Sequence, residues 1–110
     1  MSRLLVVWML GLAMPLPALA AIIEVPSDQA PNVQAAIDLA SPSQVDTVQI
    51  LPGRYRERVL IAKRLVLRGK MGAELTTLDG EDQGNVISVR GNLRPEDLII
   101  EDLTITGGRA

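Results

Sequence analysis

Residues 54–57 (RYRE) combine two guanidinium groups with an aromatic ring, the densest group of potentially reactive side chains in this 110-residue chain. Such a cluster could stack on a sugar ring and bind the carboxylates of a uronic acid. The other interpretation is structural: a corner in which Tyr55 packs beneath a helix and Glu57 pairs with an arginine. The structural interpretation is the one we favour.

An acidic cluster follows at residues 79–82 (DGED). Asp79 and Asp82, with Glu81 between them, could act as calcium ligands or as a carboxylate pair. The glycine after Asp79 and the nearby Gly84-Asn85 favour a turn instead, and a calcium loop needs further oxygens at fixed spacing. We therefore expect no metal ion and no cofactor here.

Basic side chains are a third candidate, since they could line one sheet if successive strands stack in register. Arg68 and Arg90 occupy the same place in the repeated pattern described below. Solvated charges on an outward face are the interpretation we favour, and a groove for an acidic polysaccharide is the less favoured hypothesis. The residues concerned are Arg64, Arg68, Lys70, Arg90 and Arg94.

The composition removes several classes of function. The chain has no Cys and no His, which leaves no disulfide, no thiolate metal site and no histidine base. Its formal charge of −2 is too balanced to favour nucleic acid. We therefore predict no catalytic residue and do not expect this chain by itself to be catalytically competent.

Residues 1–20 have the pattern of a signal peptide. Arg3 precedes an apolar run of eleven residues at 4–14, and Ala18 and Ala20 form an A-x-A cleavage pattern. A membrane span needs about 20 apolar residues, so an uncleaved anchor or a buried helix is the less favoured alternative. We predict cleavage after Ala20, a secreted or periplasmic location, no membrane span after cleavage, and one domain over residues 21–110.

One helix is predicted, over residues 32–40. Its apolar residues follow the i, i+3, i+4, i+7 spacing of a single stripe, at Val33, Ala36, Ile37 and Ala40. The Ser41-Pro42 pair ends it, because the residue before proline avoids the helical region.

From residue 46 onward the sequence predicts short strands. Pairs of apolar residues recur at 48–50, 59–61, 65–67, 75–78, 87–89, 98–100 and 103–105. Residues 65–69, 87–91 and 103–107 align as one template of apolar, any, apolar, polar, Gly, and residues 48–53 fit it with an insertion. The template starts are separated by 17, 22 and 16 residues, which predicts a solenoid.

We interpret the two-residue Glu101-Asp102 link as a corner between two sheets and not as a hairpin turn. Residues 62–64 predict a second corner of this kind. The side chains expected to point inward are Leu98, Ile100, Leu103 and Ile105. Asn85 and Asn92 could begin an internal asparagine ladder. The corner glycines are expected at 53, 69, 91, 107 and 108.

Taken together, residues 31–61 resemble the opening of right-handed parallel β-helix proteins of the pectin lyase-like superfamily. The segments LDG (78–80), GNVISV (84–89) and LTITGGRA (103–110) resemble its first repeats. The resemblance implies that the helix at 32–40 plugs the N-terminal end of an all-β solenoid of about three coils. It also implies that active sites would lie on later coils, beyond Ala110.

The family includes polysaccharide lyases, pectin esterases and surface adhesins. The resemblance therefore implies the N-terminal part of an exported protein that binds or processes polysaccharide, with acidic polysaccharide as a partner. A non-enzymatic surface adhesin is the alternative. The last coil carries no cap in this sequence, so end-to-end self-association and instability of an isolated 21–110 segment are also expected.

Overall fold

The computed structural model describes residues 20–109 and shows a mainly β structure with one short α-helix. The strands are β1 (Ile22–Val25), β2 (Asp46–Ile50), β3 (Gly53–Arg56), β4 (Val59–Ile61), β5 (Leu65–Gly69), β6 (Thr76–Asp79), β7 (Ile87–Val89), β8 (Leu98–Glu101) and β9 (Thr104–Thr106); the helix α1 is Val33–Leu39. A 3-10 turn (Pro95–Asp97) precedes β8. The predicted signal peptide lies, apart from Ala20, outside the described residues.

The strands form three sheets in which every neighbouring pair is parallel. The first sheet has the order β1-β2-β5-β8, the second β3-β6-β9 and the third β4-β7. From β2 onward the chain visits the first, second and third sheets in turn, so consecutive strands always lie in different sheets. Parallel neighbours cannot be joined by a tight hairpin, which is why each strand pairs with one from another pass of the chain.

Both predicted corners are confirmed. Strand β8 belongs to the first sheet and β9 to the second, with Glu101-Asp102 at their junction. Asp102 has a left-handed φ of 57°, which turns the chain within this short connection. Residues 62–64 likewise lead from β4 in the third sheet to β5 in the first.

Aliphatic side chains from all three sheets fill the interior. Alternate residues of β2 and β5 are buried, so that Val48 and Leu67 are register partners on the inward face. Buried residues of β4 and β6 meet them in one cluster with the apolar stripe of the helix. The buried hydrophobic cluster is therefore aliphatic, and the partly buried Tyr55 packs against it; Thr76 is a buried polar residue of the same interior.

Helix α1 covers one end of this interior, and its prediction is confirmed to within a residue at each end. The Asn32 side chain accepts a hydrogen bond of 2.8 Å from the Ala35 N–H and so caps the first turn. Val33, Ala36 and Ile37 are buried, and the helix packs against β1, β2 and β4. A helix this short depends on that packing. No helix in residues 20–109 is long and apolar enough to cross a membrane.

The predicted repeat alignment is wrong. Residues 65–69 form β5 of the first sheet, 87–91 contain β7 of the third, and 103–107 contain β9 of the second. In the observed register Asp46 pairs with Leu65, and Leu65 with Leu98. Strands from all three sheets share the apolar, any, apolar, polar, Gly pattern, so the pattern identifies strands but not the sheet to which each belongs.

Two strands were not predicted. Strand β1 precedes the helix and was not recognised, and β3 was interpreted as a corner because only one of its residues packs against the core. Ile100 and Ile105 lie at inward positions as predicted, since their register partners are the buried Leu67 and Leu78. Their side chains are nevertheless 37% and 46% exposed, because no further strand among the described residues covers β8 and β9.

Candidate functional site

The outward face of the second sheet carries the candidate site. Arg54 and Arg56 lie two residues apart on β3, and the intervening Tyr55 faces the core beside Leu78. Because successive side chains of a strand point to opposite faces, the two arginines project from the same outward side. Their side chains are 54% and 66% exposed, so both guanidinium groups reach solvent.

Hydroxyl groups from the neighbouring strands extend this surface. In register, Arg54 pairs with Thr77 and Thr77 with Thr104, while Thr106 pairs with Asp79 beside Arg56. The Thr104 hydroxyl donates to the Ala73 carbonyl at 2.6 Å. The resulting surface, here called the Arg–Thr face, consists of Arg54, Arg56, Thr77, Thr104 and Thr106.

Asp79 holds Arg54 in place on this face. Its Oδ2 accepts from Arg54 Nε at 3.0 Å and lies 2.8 Å from an Arg54 terminal nitrogen. Its Oδ1 accepts from the Glu81 backbone N–H at 2.8 Å. The Glu81 N–H and then the Arg54 guanidinium hold the pKa of Asp79 below its ordinary value. The carboxylate is therefore an ionised anchor that orients Arg54, whereas the Arg56–Glu81 pair, at 4.0 Å and exposed, is much looser.

We predict that Asp79→Asn removes a pH-dependent part of the stability. The Asp79 pKa is lowered in the folded chain, so its contribution is present above the ordinary value of 3.8 and lost as pH falls through the lower folded value. The wild-type chain should melt at a higher temperature than the variant at neutral pH. The two melting temperatures should converge in acid, below the ordinary value. A constant difference across that acid range would contradict this prediction.

Tyr55 and Glu57 have structural roles, and one of them differs from the prediction. The Tyr55 hydroxyl donates to the Leu51 carbonyl at 2.8 Å, and burial raises its pKa. Glu57 was expected to pair with an arginine. Instead its two carboxylate oxygens accept the Val33 and Gln34 backbone N–H groups at 2.9 and 3.0 Å. The first N–H groups of any helix lack partners within the helix, and that need was the available signal for this contact.

The acidic cluster forms a turn, as the favoured interpretation predicted. Glu81 and Asp82 have left-handed φ values of 55° and 58°. Asp79 and Glu81 face arginines, and the described residues contain no group of three or more potential metal ligands. Beside this turn a polar cleft of about 440 Å³ is lined by Asp82, Gln83, Gly84, Asn85 and Arg109.

The basic stripe, the less favoured hypothesis for these residues, does not form, because Arg68 and Arg90 lie in different sheets. Arg68 belongs to β5 of the first sheet, whereas Arg90 follows β7 of the third. Arg68 lies in register between Gln49 and Glu101; its guanidinium donates to the Gln49 side-chain Oε1 at 3.1 Å and lies 3.8 Å from the Glu101 carboxylate. Lys70 lies 3.1 Å from Glu24. These contacts make a charge-balanced row on the first sheet instead of a basic groove.

Arg94 and the two candidate ladder residues also differ from the prediction. The Arg94 guanidinium lies 3.3 Å from Glu96 and 3.7 Å from Asp97, within its own 3-10 turn. Asn85 and Asn92 are both exposed, on opposite sides of β7, so they do not form an internal ladder. The hypothesis placed the two asparagines in one stack, whereas Asn85 precedes β7 and Asn92 follows it.

The Arg–Thr face can bind anionic or hydroxyl-rich ligands through charged and neutral hydrogen bonds. Two of the five N–H donors that an arginine carries are directed to Asp79 in Arg54, which leaves others for a ligand. Comparisons of the chain with protein-family models, curated proteins and solved structures found no match. The interpretation of this face therefore depends on its own geometry.

Proposed function

We propose that residues 21–110 are the N-terminal cap and first coils of a right-handed parallel β-helix of the pectin lyase-like type. Three parallel sheets entered in a fixed order around an aliphatic interior support this proposal, as does a helix over one end of that interior. Connections between parallel strands are almost always right-handed, which supports the hand. The exposed Ile100 and Ile105 are suited to contact with one further layer of strands.

We further propose that the protein is exported and cleaved after Ala20. The support is the sequence of residues 1–20 and the position of Ala20, which is exposed and lies two residues before β1. A chain cleaved there begins at the first residue that the fold requires, since Ala21 already contacts β2 through the hydrogen bond from the Thr47 N–H to its carbonyl at 2.9 Å.

The function that the geometry supports best is binding of an acidic polysaccharide by the Arg–Thr face. The observation that carries it is the pair of exposed guanidinium groups on one side of β3, next to the three threonine side chains of the neighbouring strands β6 and β9. Guanidinium groups bind carboxylates through charge-assisted hydrogen bonds, and hydroxyls suit the remaining oxygens of a sugar. Binding is favoured over processing because Asp79 is an ionised partner of Arg54 and does not serve as a proton donor.

Binding should be measured with the exported chain on polygalacturonate, alginate and fully methyl-esterified pectin by isothermal titration calorimetry. We expect the two acidic polymers to bind and the neutral ester to bind much more weakly. Each arginine–carboxylate contact contributes about 1.5–3 kcal/mol, so Arg54→Ala and Arg56→Ala should each raise Kd by about tenfold or more. Affinity should also fall with added salt.

Arg94→Ala is the matched control, because the Arg94 side chain is at least as exposed but lies at the start of the 3-10 turn before β8 and is not part of the Arg–Thr face. It should leave Kd unchanged. Failure of both acidic polymers to bind would reject the proposed ligand class. Equal losses in all three arginine variants would instead reject the Arg–Thr face as the site and indicate nonspecific attraction.

A non-enzymatic adhesin is the second candidate, and an exposed row on the first sheet favours it. Ile22, Thr47, Val66 and Ile99 are register partners on successive strands, with Ile22 and Ile99 well exposed. Such an apolar row suits a protein partner or, at the β8 edge, a second copy of the chain. Sedimentation of the wild type and of Ile99→Ser would distinguish these: association that weakens in the variant supports contact between copies.

A further inference from the structure

Asp46 is the first residue of β2 and carries a buried carboxylate. This carboxylate contacts both the residue before β1 and the loop after helix α1. The residue is 2% exposed. Its Oδ1 accepts from the Ala21 backbone nitrogen and from the Gln44 side-chain amide, both at 2.8 Å, and its Oδ2 accepts from the Ser41 N–H at 2.8 Å. Three donors from two separate parts of the chain therefore converge on one side chain.

Among the described residues no cation lies within salt-bridge distance of Asp46. The charge of Lys63 contributes to lowering the Asp46 pKa, but its Nζ donates to the Ala40 carbonyl at 2.8 Å and the Asp38 carbonyl at 3.3 Å. Burial raises the pKa of Asp46, but the Ala21 and Ser41 N–H groups together with Gln44 outweigh it and lower that pKa overall. The result is a buried negative charge held by neutral donors, an arrangement that a directly bonded cation would stabilise.

The proposed cleavage supplies such a cation at the required atom. Hydrolysis by a peptidase breaks the bond between the Ala20 carbonyl carbon and the Ala21 nitrogen; water gives its OH to Ala20 and a proton to Ala21. At neutral pH the new Ala20 carboxyl group loses a proton and the Ala21 amine takes one up. The nitrogen 2.8 Å from Asp46 Oδ1 thereby changes from an amide with one N–H to an ammonium with three.

We propose that Asp46 is the receptor for the α-ammonium of Ala21 in the exported chain. This inference depends on the proposed cleavage after Ala20. The other two ammonium protons can be hydrated, because Ala21 is exposed and borders a cleft of about 360 Å³ that Asp46, Ser27 and Gln29 also line. Glu24 borders the same cleft, but its carboxylate pairs with Lys70 at 3.1 Å.

The ion pair between Asp46 and the Ala21 ammonium would form only after cleavage and would then stabilise the packing of β1 against β2. This strand is at the edge of the first sheet and pairs only with β2 among the described strands. The Thr47 N–H bonds the Ala21 carbonyl at 2.9 Å, so the same residue holds the strand register and the proposed charge. A precursor, or a chain with extra residues before Ala21, would keep the hydrogen bond and lose the ion pair.

The test uses the complete precursor and a variant with Gly-Ser inserted between Ala20 and Ala21. Both keep the same leader and cleavage pattern, but the variant moves the new ammonium two residues away from Asp46. Mass spectrometry of the exported chains identifies the first residue. Thermal unfolding at neutral pH should then show the insertion variant melting about 4–8 °C lower. In an Asp46→Asn background the same insertion should cost almost nothing.

The difference in stability between the wild type and the insertion variant should depend on pH with a definite sign. A free α-amino group has a pKa of about 8, and an adjacent carboxylate favours the charged form. The advantage of the wild type over the insertion variant should therefore be complete at neutral pH and disappear as the amine deprotonates toward about pH 10. Lys63, Glu24 and Lys70 are common to both chains, so their titration cancels in the difference.

The outcomes separate the two proposals. A first residue other than Ala21 would overturn the cleavage and, with it, the ammonium pair. A chain that begins at Ala21 but melts at the same temperature as the insertion variant would overturn the pair alone. A difference that persists in Asp46→Asn, or that does not change with pH, would likewise overturn it, because the lost stability would then come from the insertion itself.

Discussion

Gly69→Ala is expected to destabilise the fold by about 3 kcal/mol or more, because the chain itself occupies the space that a side chain needs. Gly69 is buried at the end of β5, and a Cβ atom there would overlap the Asp102 carbonyl oxygen of the next pass. It would also lie 3.2 Å from the Thr76 Cβ. The corners at residues 69 and 102 would have to separate, so the melting temperature should fall by more than about 10 °C.

Gly72→Ala is the matched control, three residues away in the same connection. A Cβ atom at Gly72 would meet nothing within 4 Å, and the backbone there has a φ of 96°. Gly72→Ala should therefore lower the free energy of unfolding only through backbone strain, by about 1 kcal/mol. The comparison separates steric overlap from backbone strain. If Gly69→Ala were no more destabilising than Gly72→Ala, the close approach of the two corners would be wrong.

Leu67→Ala is expected to cost about 2–5 kcal/mol, measured by urea unfolding, since it leaves a cavity at the centre of the first sheet. Leu67 is 0% exposed and lies in register between Val48 and Ile100. The surrounding core has little means of filling the lost volume, because its strands are fixed in parallel register on both sides.

Leu60→Ala is the control for that change, with the same residue type and the same loss of atoms. Leu60 is 41% exposed on the outward face of β4, and we expect a cost below about 1 kcal/mol. Similar losses of stability in the two variants would contradict the assignment of inward and outward faces.

Several elements could be predicted from local pattern because their cause is local. The stripe of Val33, Ala36 and Ile37 has only one regular structure that brings its apolar groups to one side, and α1 has the predicted position. The Glu101-Asp102 link has neither the Gly nor the Asn that a two-residue hairpin turn favours, and β8 and β9 do lie in different sheets, as the predicted corner requires.

Contacts between strands that are distant in the sequence could not be predicted from local pattern. Arg68 and Arg90 share a local pattern but lie in different sheets, and Arg54 meets Asp79 only because β3 and β6 are neighbours in register. The loops between strands vary in length, so the distance along the sequence does not identify which strands pair. The contact of Glu57 with the helix N-terminus has the same origin, because the partners are separated by more than twenty residues.

The sequence by itself determined where the helix, seven of the nine strands and the corners lie, since apolar spacing and turn residues act over a few positions. The tertiary structure decided which strands are neighbours, and hence that Arg54 and Arg56 share a face with three threonines and that Asp46 receives the Ala21 nitrogen. Those contacts join residues from separate passes through the sheets, and side-chain periodicity within one strand carries no information about the strand beside it.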